Sequence, residues 1–591
     1  MNQTQVGKKG IGRWLLFLLL VLLLIISFYP ILWMFLGSFK TNNEIYQNAL
    51  AFPTGFDFTV YRDAWIAANF SQALMNSLMI TVISVVLIVL ISSLAAFAFA
   101  VMDFKGKNAL YLFILAGQII SAQIILIPLF SMFKSMQVLN TQWSAVIAYT
   151  AVGIPLSMLL LRNSFQEVPR DIYESTKIDG CNSFHYYLSF MLPLSKPGLA
   201  SVIIYQALFA WNEYIFALTF LSANDVKTLP LTLTVFVGRY ASDWPKIFAI
   251  LSLSVIPIII LYLFLQKYFI RGLTAGAVKG LEKNVMTKTK KKFHPMRRLE
   301  PYFYLLPSIL VISAFLFYPM LDSLRLSFTN WDGLKEAAYI GWGNYDKIFH
   351  NNEFWNSIWV TVIWVVLSVV ILPLTGLLYG VMVEYLSPNR AASGVFRTIL
   401  FMPMMMSYVA IGLLWQLIYD PNLGLVNSVL GLFGLIDPVN PIQYLSNADM
   451  ALFWAFIPVI WQWSGFGMVM TCAAMMNIPH DIIEAAAIDG ASKTQTFWRV
   501  VLPLLMPTVL TGSAINLIGG FKAFDIIYVM TQGGPGSATK VTSILMYRLA
   551  FTENRFGYAC AMAVIVFLLA LVLTGLFNKF RGSVDRSVGN A

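Results

Sequence analysis

Long apolar runs constrain this chain more than any other feature of its sequence. Twelve runs of about 18 residues or more can be counted along it, and about 20 apolar residues at a rise of 1.5 Å per residue cross a hydrocarbon core. Hydrophobic residues make up 58% of the 591, and only 11% are charged. Because a segment in lipid must satisfy its own backbone hydrogen bonds, these runs predict an all-α protein that crosses a membrane many times.

The twelve runs fall into two sets of six. The predicted spans of the first half are 14–37, 73–102, 109–133, 143–162, 198–222 and 248–270. Those of the second half are 302–326, 357–386, 395–419, 450–476, 508–530 and 557–578. The stretch 425–436 is too short to span and is broken by glycines, so we expect an interfacial or extracytoplasmic turn there.

Lysines and arginines near the ends of the runs predict the orientation. Lys105, Arg162, Arg397 and Arg499 mark the cytoplasmic side, which also places both termini in the cytoplasm. The net charge of +11 comes from such positions and from one linker, so no nucleic-acid partner is expected. The lipid bilayer is the partner that the composition implies.

An internal repeat relates the two halves. Residues 169–197 and 479–507 align without a gap and are identical at eleven of twenty-nine positions, where chance would give roughly two. Each copy lies between the fourth and fifth run of its own set. The chain is therefore predicted to contain two homologous six-helix halves in parallel orientation.

A basic linker joins the halves. Residues 279–298 hold eight lysines and arginines and one acid, with no apolar period, which predicts a solvated cytoplasmic segment. The predicted organisation is a first half at 1–280, a linker at 281–300 and a second half at 301–591. Met286, followed by a basic run and then a span, looks like the start of a separate chain. The sequence leaves open whether the two were joined in nature or by construction.

Each copy of the repeat predicts a short helix, a sharp turn and a second helix. Gly180 and Gly490 stand where a left-handed residue ends a helix, and Ser183 and Ser492 are the expected caps of the next helix. Asp-Gly after small residues is also a common helix stop. Two copies at equivalent places favour a repeated docking element over that simpler interpretation.

The repeat resembles the EAA loop of the permease subunits of bacterial ABC importers, with Glu, small residues, Asp-Gly, and then Leu-Pro and Pro about twelve residues later. The stretches WNEYIFALTF (211–220), GLTAGAVKG (272–280) and FKAFDIIYVMTQGGP (521–535) are similar to the maltose-type carbohydrate permeases. The resemblance implies the type I ABC importer permease fold and a bacterial cytoplasmic membrane location. It also implies that each loop docks on an ATPase domain.

The resemblance assigns ATPase coupling to seven residues: Glu174, Asp179, Gly180, Glu484, Ala485, Asp489 and Gly490. The first copy departs from the family, because Ser175, Thr176 and Lys177 replace small apolar residues. A more polar docking surface is expected there. The stretch 272–280, in the family a free tail that reaches the ATPase, continues here into the linker, which puts that contact in doubt.

The sequence contains no phosphate-binding loop of the form GxxxxGK[ST]. We therefore expect no cofactor, catalytic residue or metal site in this chain, with ATP and Mg bound by two partner ATPase domains. The outer loops are too short to hold a sugar-binding domain, so a separate extracytoplasmic sugar-binding protein is expected. The four histidines are scattered without a catalytic motif, which argues against a membrane-embedded enzyme.

Polar groups inside predicted spans are costly and are candidates for function. Asn212 and Glu213 in the fifth span of the first half align with Lys522 and Ala523 of the second. Asp525 lies three residues beyond Lys522. We expect these two to form an ion pair on one helix face, with direct sugar contact as the alternative.

Position in the family adds further candidates for a sugar pathway, since aromatic rings beside polar groups suit sugars. They are Trp461, Gln462, Trp463, Ser464, Phe466, Asn516, Gly519 and Gly520. The alternative is structural, because membrane helices use tryptophan at interfaces and glycine for close packing.

The competing functional class is a secondary transporter of the major-facilitator kind, which also has twelve helices in two parallel halves. That class carries a basic signature between its second and third spans. The equivalent loops here read DFKGK and SPNRAASGVFR. An ion-driven carrier works without an ATPase, so copurification of an ATPase discriminates between the two.

Overall fold

A computed structural model describes residues 11–48, 50–239, 243–260, 299–387, 389–437 and 439–589. The stretch 272–280, Met286 and nearly all of the predicted linker 281–300 lie outside these residues. Within the described ranges the chain is helical, and β pairing is limited to one isolated bridge between Thr329 and Tyr339.

The first half contains thirteen described helices. They are α1 (Ile11–Gly37), α2 (Asn42–Gln47), α3 (Thr59–Ala67), α4 (Phe70–Val101), α5 (Lys107–Ala116), α6 (Ala122–Ser135), α7 (Gln142–Gln166), α8 (Arg170–Ile178), α9 (Ser183–Leu194), α10 (Lys196–Asn212), α11 (Ile215–Phe220), α12 (Leu229–Arg239) and α13 (Trp244–Ile260).

The second half contains twelve described helices. They are α14 (Glu300–Leu326), α15 (Gly343–Phe349), α16 (Asn352–Leu386), α17 (Arg390–Phe401), α18 (Tyr408–Ile418), α19 (Leu425–Leu432), α20 (Ala451–Met476), α21 (His480–Ile488), α22 (Lys493–Phe521), α23 (Asp525–Thr531), α24 (Thr542–Tyr547) and α25 (Phe556–Gly589).

Eight of the described helices are long and apolar enough to cross a membrane by themselves. The count rises to as many as ten spans if each of the two bent helix pairs is taken as one span. Two predicted runs of the first half behave differently. The run 109–133 folds as two short helices, α5 and α6, and the run 248–270 is described only as far as Ile260, in α13. The stretch 425–436, for which a turn is predicted, contains the short helix α19 (Leu425–Leu432), which is too short to span a membrane.

The third span is interrupted in both halves. In the second half, α17 continues as a 3-10 turn, Met402–Met405, which contains Pro403, and the chain then bends by 96° into α18. Proline has no N–H to continue the helical hydrogen bonds, and the Ser407 hydroxyl restarts the helix by accepting from the Ala410 N–H at 3.1 Å. In the first half, residues 117–121 separate α5 from α6. Each break leaves backbone carbonyls outside the regular hydrogen-bond pattern of a helix.

Each half contributes its first helix to the other half. Helix α1 packs against α16 and α17 of the second half, and α14 packs against α4 and α6 of the first. The Ser323 hydroxyl of α14 donates to the Ile124 carbonyl of α6 at 2.6 Å. The two halves are therefore interlocked rather than simply adjacent.

Candidate functional site

The turn of each EAA loop has the backbone that its sequence predicts. We call α8 and α21 the EAA helices. Gly180 has φ of +83° and Gly490 has φ of +82°. The Cys181 N–H donates to the Thr176 carbonyl at 3.0 Å, and the Gly180 N–H donates to the Lys177 carbonyl at 3.2 Å. This pattern is a Schellman motif, in which a left-handed residue closes the helix, and glycine adopts that conformation without strain.

The helix after the turn is capped in both copies, but by a different residue from the predicted one in the first. The Asn182 carboxamide oxygen accepts from the His185 N–H at 2.7 Å, so the prediction of Ser183 was wrong by one residue. In the second copy the prediction is confirmed: the Ser492 hydroxyl accepts from the Gln495 N–H at 3.3 Å, in a capping box. Asn182 aligns with Ser492, and asparagine caps helices as well as serine does.

All seven predicted coupling residues are exposed on the two loops. The neighbouring residues Ile178 and Ile488, one in each loop, are each 86% exposed. Thr176 is an exception to the expected polar surface of the first copy. Its side chain is buried and its hydroxyl donates to the Ile172 carbonyl at 3.0 Å, so only Ser175 and Lys177 add polarity outside.

The fifth span of each half is broken where its polar residues lie. Helix α10 ends at Asn212 and α11 begins at Ile215, while α22 ends at Phe521 and α23 begins at Asp525. The Glu213 carboxylate accepts from the Phe216 N–H at 2.7 Å and from the Ala217 N–H at 3.2 Å. Glu213 therefore caps the restarted helix α11 while being 8% exposed.

At the contact between the halves, groups at the breaks of the fifth spans form hydrogen bonds with groups at the breaks of the third spans. The Asn212 amide donates to the Met405 carbonyl at 3.3 Å, and the Gln462 amide donates to the Met406 carbonyl at 3.0 Å. In the other direction, the Gln123 amide donates to the Lys522 carbonyl at 3.1 Å. We call the residues gathered there the central polar cluster: Gln123, Asn212, Glu213, Gln462, Lys522 and Asp525.

The predicted ion pair between Lys522 and Asp525 was wrong. The Lys522 ammonium group donates to the Gln118 carbonyl of the other half at 3.4 Å, and no salt bridge joins it to Asp525 within the described residues. The helix breaks between the two residues, so the spacing of a continuous helix no longer brings them to one face. The Asp525 Oδ1 atom is buried and has no hydrogen-bond partner among the described residues.

The predicted tryptophans of α20 have separate structural partners. The Trp461 indole N–H donates to the Ser27 carbonyl of α1 at 3.1 Å, so it holds the exchanged helix. The Trp463 indole N–H donates to the Tyr408 hydroxyl at 2.8 Å, and the Phe466 ring lies 5.8 Å from the Trp463 ring. Ser464 is buried. Within the stretch 461–466, it is the Gln462 side chain that belongs to the central polar cluster.

The predicted residues of α22 also differ in environment. A Cβ atom at Gly520 would lie 3.1 Å from the Cα atom of Val365 in α16, so this glycine allows close helix packing. Gly519 faces open space, and Asn516 is half-buried. Whether any of them touches a sugar stays a prediction.

Several groups at the cluster were not predicted. Gln118 and Gln123 stand inside the apolar run 109–133, and the cost of a polar group in lipid would have singled them out. Met405 and Met406 contribute backbone carbonyls, and their side chains give no indication of this role in the sequence. A nearby cavity is lined by Trp211, Asn212, Met406 and Ser407 among others.

Comparison with known proteins identifies the family. The family described as "Binding-protein-dependent transport system inner membrane component" matches residues 88–275 and 376–585, which together make up more than half of the chain. The chain belongs to this family. Each matched stretch contains one EAA helix, so the permease carries a fused pair of family domains.

Individual relatives correspond to about half of this permease. YurM of Bacillus subtilis, a probable ABC transporter permease protein, is 35% identical over 273 residues, which cover 46% of this chain and 91% of the relative. AraQ of Halalkalibacterium halodurans, an arabinooligosaccharides transport system permease protein, is 33% identical over 273 residues, covering 45% and 96%. A solved bacterial ABC transporter involved in alginate import is 24% identical, with a TM-score of 0.44, covering 49% and 96%.

Membership of this family places the permease in the cell membrane and among the sugar and oligosaccharide ABC importers that depend on a binding protein. It favours this class over the ion-coupled carrier. The matched stretches begin at residues 88 and 376, so the exchanged helices α1 and α14 lie outside them. The EAA helices and the central polar cluster lie inside.

Proposed function

We propose that this permease forms the membrane pore of an ATP-driven importer for a sugar or oligosaccharide. A separate extracytoplasmic binding protein delivers the sugar. Two ATPase domains from other polypeptides bind ATP and Mg, dock on the EAA helices at the cytoplasmic face and move the two halves. The permease itself carries out no hydrolysis, and both of its termini lie in the cytoplasm.

The observation that carries this proposal is the pair of exposed EAA helices. Each presents an acid, a helix end closed by a left-handed glycine and an isoleucine that is 86% exposed. An isoleucine so exposed at the same position of both loops suits a partner that covers it. The names of relatives such as AraQ support an oligosaccharide as the substrate class.

Affinity capture of the tagged chain from membranes in mild detergent tests the partners. We expect an ATPase to copurify, and we expect reconstituted vesicles to take up labelled maltotriose or arabinotriose when ATP is supplied with the binding protein. Uptake driven by a proton gradient without an ATPase would contradict the proposal.

The loops themselves are tested by changing Gly180→Val and Gly490→Val together. A side chain in the left-handed region costs about 1–2 kcal/mol per residue, which distorts the turn without creating a clash. We expect loss of ATPase capture and of uptake while the membrane fold persists.

The matched control is Gly106→Val. Gly106 also has a left-handed backbone, with φ of +72°, and faces open space in the loop before α5. It should retain capture and uptake. If the double variant retained both as well, the EAA helices would not be the docking elements.

A further inference from the structure

One side of α16 exposes apolar residues along nearly its whole length. They recur every four or seven positions, which places them on a single side of a helix: Trp355, Trp359, Val366, Val370, Leu374, Leu378 and Tyr385. Helix α16 is one of those long and apolar enough to cross a membrane. An apolar stripe of this length is covered by lipid when the helix spans a bilayer.

The ends of this stripe match the thickness of a bilayer. At 1.5 Å per residue, Trp359 and Leu378 lie about 29 Å apart along α16, which is the thickness of the hydrocarbon core. Trp355 and Tyr385 lie about 45 Å apart, which is the thickness with the headgroups included. Tryptophan and tyrosine favour the headgroup level, because each ring combines an apolar body with a polar group. Trp355 therefore marks the headgroup level at the first end of α16.

The loop between α14 and α16 adds exposed rings at this level. We call Tyr339, Trp342, Phe349, Trp355 and Trp359 the aromatic platform. All five side chains are exposed, Trp342 by 70% and Trp359 by 64%. The Phe349 ring lies 6.1 Å from the Trp355 ring, and the Trp355 indole N–H donates to the Phe349 carbonyl at 2.9 Å. The end of the loop is thus fixed beside the residue that marks the headgroup level.

Contacts inside the loop hold the other rings in place. The Asn344 amide is buried and donates to the Thr329 carbonyl at 2.7 Å. The Phe328 ring lies 5.1 Å from the Trp342 ring and 6.4 Å from the Tyr339 ring. Rings that are already ordered lose little conformational entropy when a surface covers them.

Helix α15 separates these rings from charged side chains. Trp342 and Phe349 are seven residues apart and lie on one side of it, whereas Lys347 lies on the other side at about 100° per residue. The charges of residues 327–351 nearly balance: Asp332, Lys335, Glu336, Asp346 and Lys347. Attraction to a charged surface is therefore not what this loop is suited to.

We propose that the aromatic platform lies in the headgroup region of the leaflet opposite the EAA helices and anchors the second half there. Its partner is the lipid surface, and anionic headgroups are not required. A lipid surface is favoured over a protein partner because the platform continues the lipid-facing stripe of α16 without a break. In the orientation of the proposed function, this leaflet is the outer one.

Fluorescence quenching on the full chain in phosphatidylcholine nanodiscs tests this position. An NBD dye is attached at Phe349→Cys or, as the matched control, at Lys347→Cys on the other side of α15. Both chains carry Cys181→Ser, and Cys472 and Cys560 are buried. Lipids with a nitroxide on the headgroup should quench the dye at position 349 at least about twofold more than at 347, because the apolar side lies among the headgroups. Aqueous iodide should show the reverse order.

Amide hydrogen exchange keeps the dye out of the loop. In nanodiscs, residues 339–350 of the unaltered chain should exchange at least about threefold more slowly than in a lipid-free amphipol, because lipid holds the loop closed. Trp342→Ser combined with Phe349→Ser should exchange alike in the two media. Lys347→Ser is the control and should keep the difference. A role in packing alone would change exchange equally in both media and would overturn the proposal.

Equal quenching of the two dye positions by iodide would also overturn it, since the platform would then lie in water, open to a protein partner. So would headgroup quenching that requires phosphatidylglycerol, because lipid charge would then hold the loop. The unfolding midpoint of each variant shows whether it is folded. Nanodiscs expose both sides to iodide, and no measurement uses ATP or sugar, so the orientation and the permease function are judged separately.

Discussion

In the first half the EAA helix α8 contributes a ring, that of Tyr173, to a cluster of aromatic side chains, whereas the second EAA helix, α21, contains no aromatic residue among its described residues His480–Ile488. The Tyr173 ring of α8 lies 4.8 Å from the Tyr186 ring, which stacks on Phe190 at 5.6 Å. The Tyr187 hydroxyl is 2.6 Å from the Ser93 hydroxyl of α4. The first EAA helix is thus tied to the second span of its own half.

The aromatic cluster also reaches the other half. The Phe97 ring of α4 lies 5.4 Å from Tyr187 and 5.4 Å from Tyr304, which belongs to the exchanged helix α14. The packed rings therefore connect α8 with helices of both halves. Packed aromatic pairs of this kind contribute about 0.5–1.5 kcal/mol each beyond the area they bury.

Three of the four aromatic positions have aliphatic or small polar side chains in the second half: Ile483, Thr496 and Val500 align with Tyr173, Tyr186 and Phe190. The fourth, Tyr187, aligns with Phe497, whose ring lies 6.2 Å from that of Tyr385 in α16. None of the residues of α21, all of which are described, is buried. The same signature therefore produces the same exposed helix and turn, and the residues behind it decide how firmly that helix is held.

The fifth span, which follows each EAA helix, also differs between the two halves. In the first half, α9 and α10 are bent by 79° at Ser195, whereas α22 continues as one helix. Gly198 lies against Ser164 of α7 so closely that a Cβ atom would clash. The aligned residue of the second half is Thr508, which does not permit that approach. The glycine therefore permits the bent arrangement of the first half.

The largest effect is expected from Tyr186→Ala. Removing a buried aromatic ring costs about 3–5 kcal/mol, and Tyr186 is 1% exposed. The unfolding free energy in detergent should fall by that order, and uptake should fall with it. Thr496→Ala, at the aligned position, should stay within about 0.5 kcal/mol.

Amide hydrogen exchange checks the same comparison without a partner ATPase. In the unaltered permease we expect residues 170–178 to exchange more slowly than 480–488, because packed residues open less often. Tyr186→Ala should remove that difference. Equal exchange of the two segments in the unaltered chain would show that the aromatic cluster does not stiffen α8.

The next effect is expected from Gly198→Thr, which places the second half's residue in the first half. The added side chain meets Ser164, and overpacking of this kind costs about 1–3 kcal/mol. The reciprocal change, Thr508→Gly, should cost about 0.5 kcal/mol, because only helix propensity changes. Thermal unfolding of both variants measures this. Equal costs would mean that Gly198 is not a packing requirement.

A smaller effect is expected from Tyr187→Phe, which removes the hydroxyl bonded to Ser93. The loss of one hydrogen bond lowers the unfolding free energy by about 0.5–1.5 kcal/mol. Ser93→Ala combined with Tyr187→Phe should cost less than the sum of the two. Tyr304→Phe leaves the rings of the cluster in place and serves as the control. Strict additivity would show that the two hydroxyl groups do not interact.

The smallest effect is expected from Lys177→Ala, which gives the first copy the alanine found at position 487. The Lys177 ammonium group lies 4.4 Å above the centre of the Tyr173 ring, and such an exposed contact stabilises by about 0.5–1 kcal/mol. Unfolding measurements should find a loss of that size, with ATPase capture unchanged. A large fall in capture would instead place Lys177 in the docking contact.

The sequence by itself determined the local features of this protein. The apolar runs predict the membrane helices, and eight to ten helices of the described residues meet that expectation. The repeat predicts two related halves, and both glycines of the EAA loops have the left-handed backbone that their position predicts. These features depend on length, periodicity and the conformational range of one residue, so a sequence is enough to find them.

Contacts between distant segments were decided by the tertiary structure alone. The exchange of α1 and α14 between the halves depends on contacts between residues that lie hundreds of positions apart in the chain. Lys522 was predicted to pair with Asp525 because a continuous helix would place them together, but the helix breaks there and Lys522 bonds the Gln118 carbonyl. A broken helix leaves some backbone carbonyls without a helical hydrogen-bond donor, and every residue type has a backbone carbonyl. The sequence therefore does not indicate which carbonyls a distant side chain will bond.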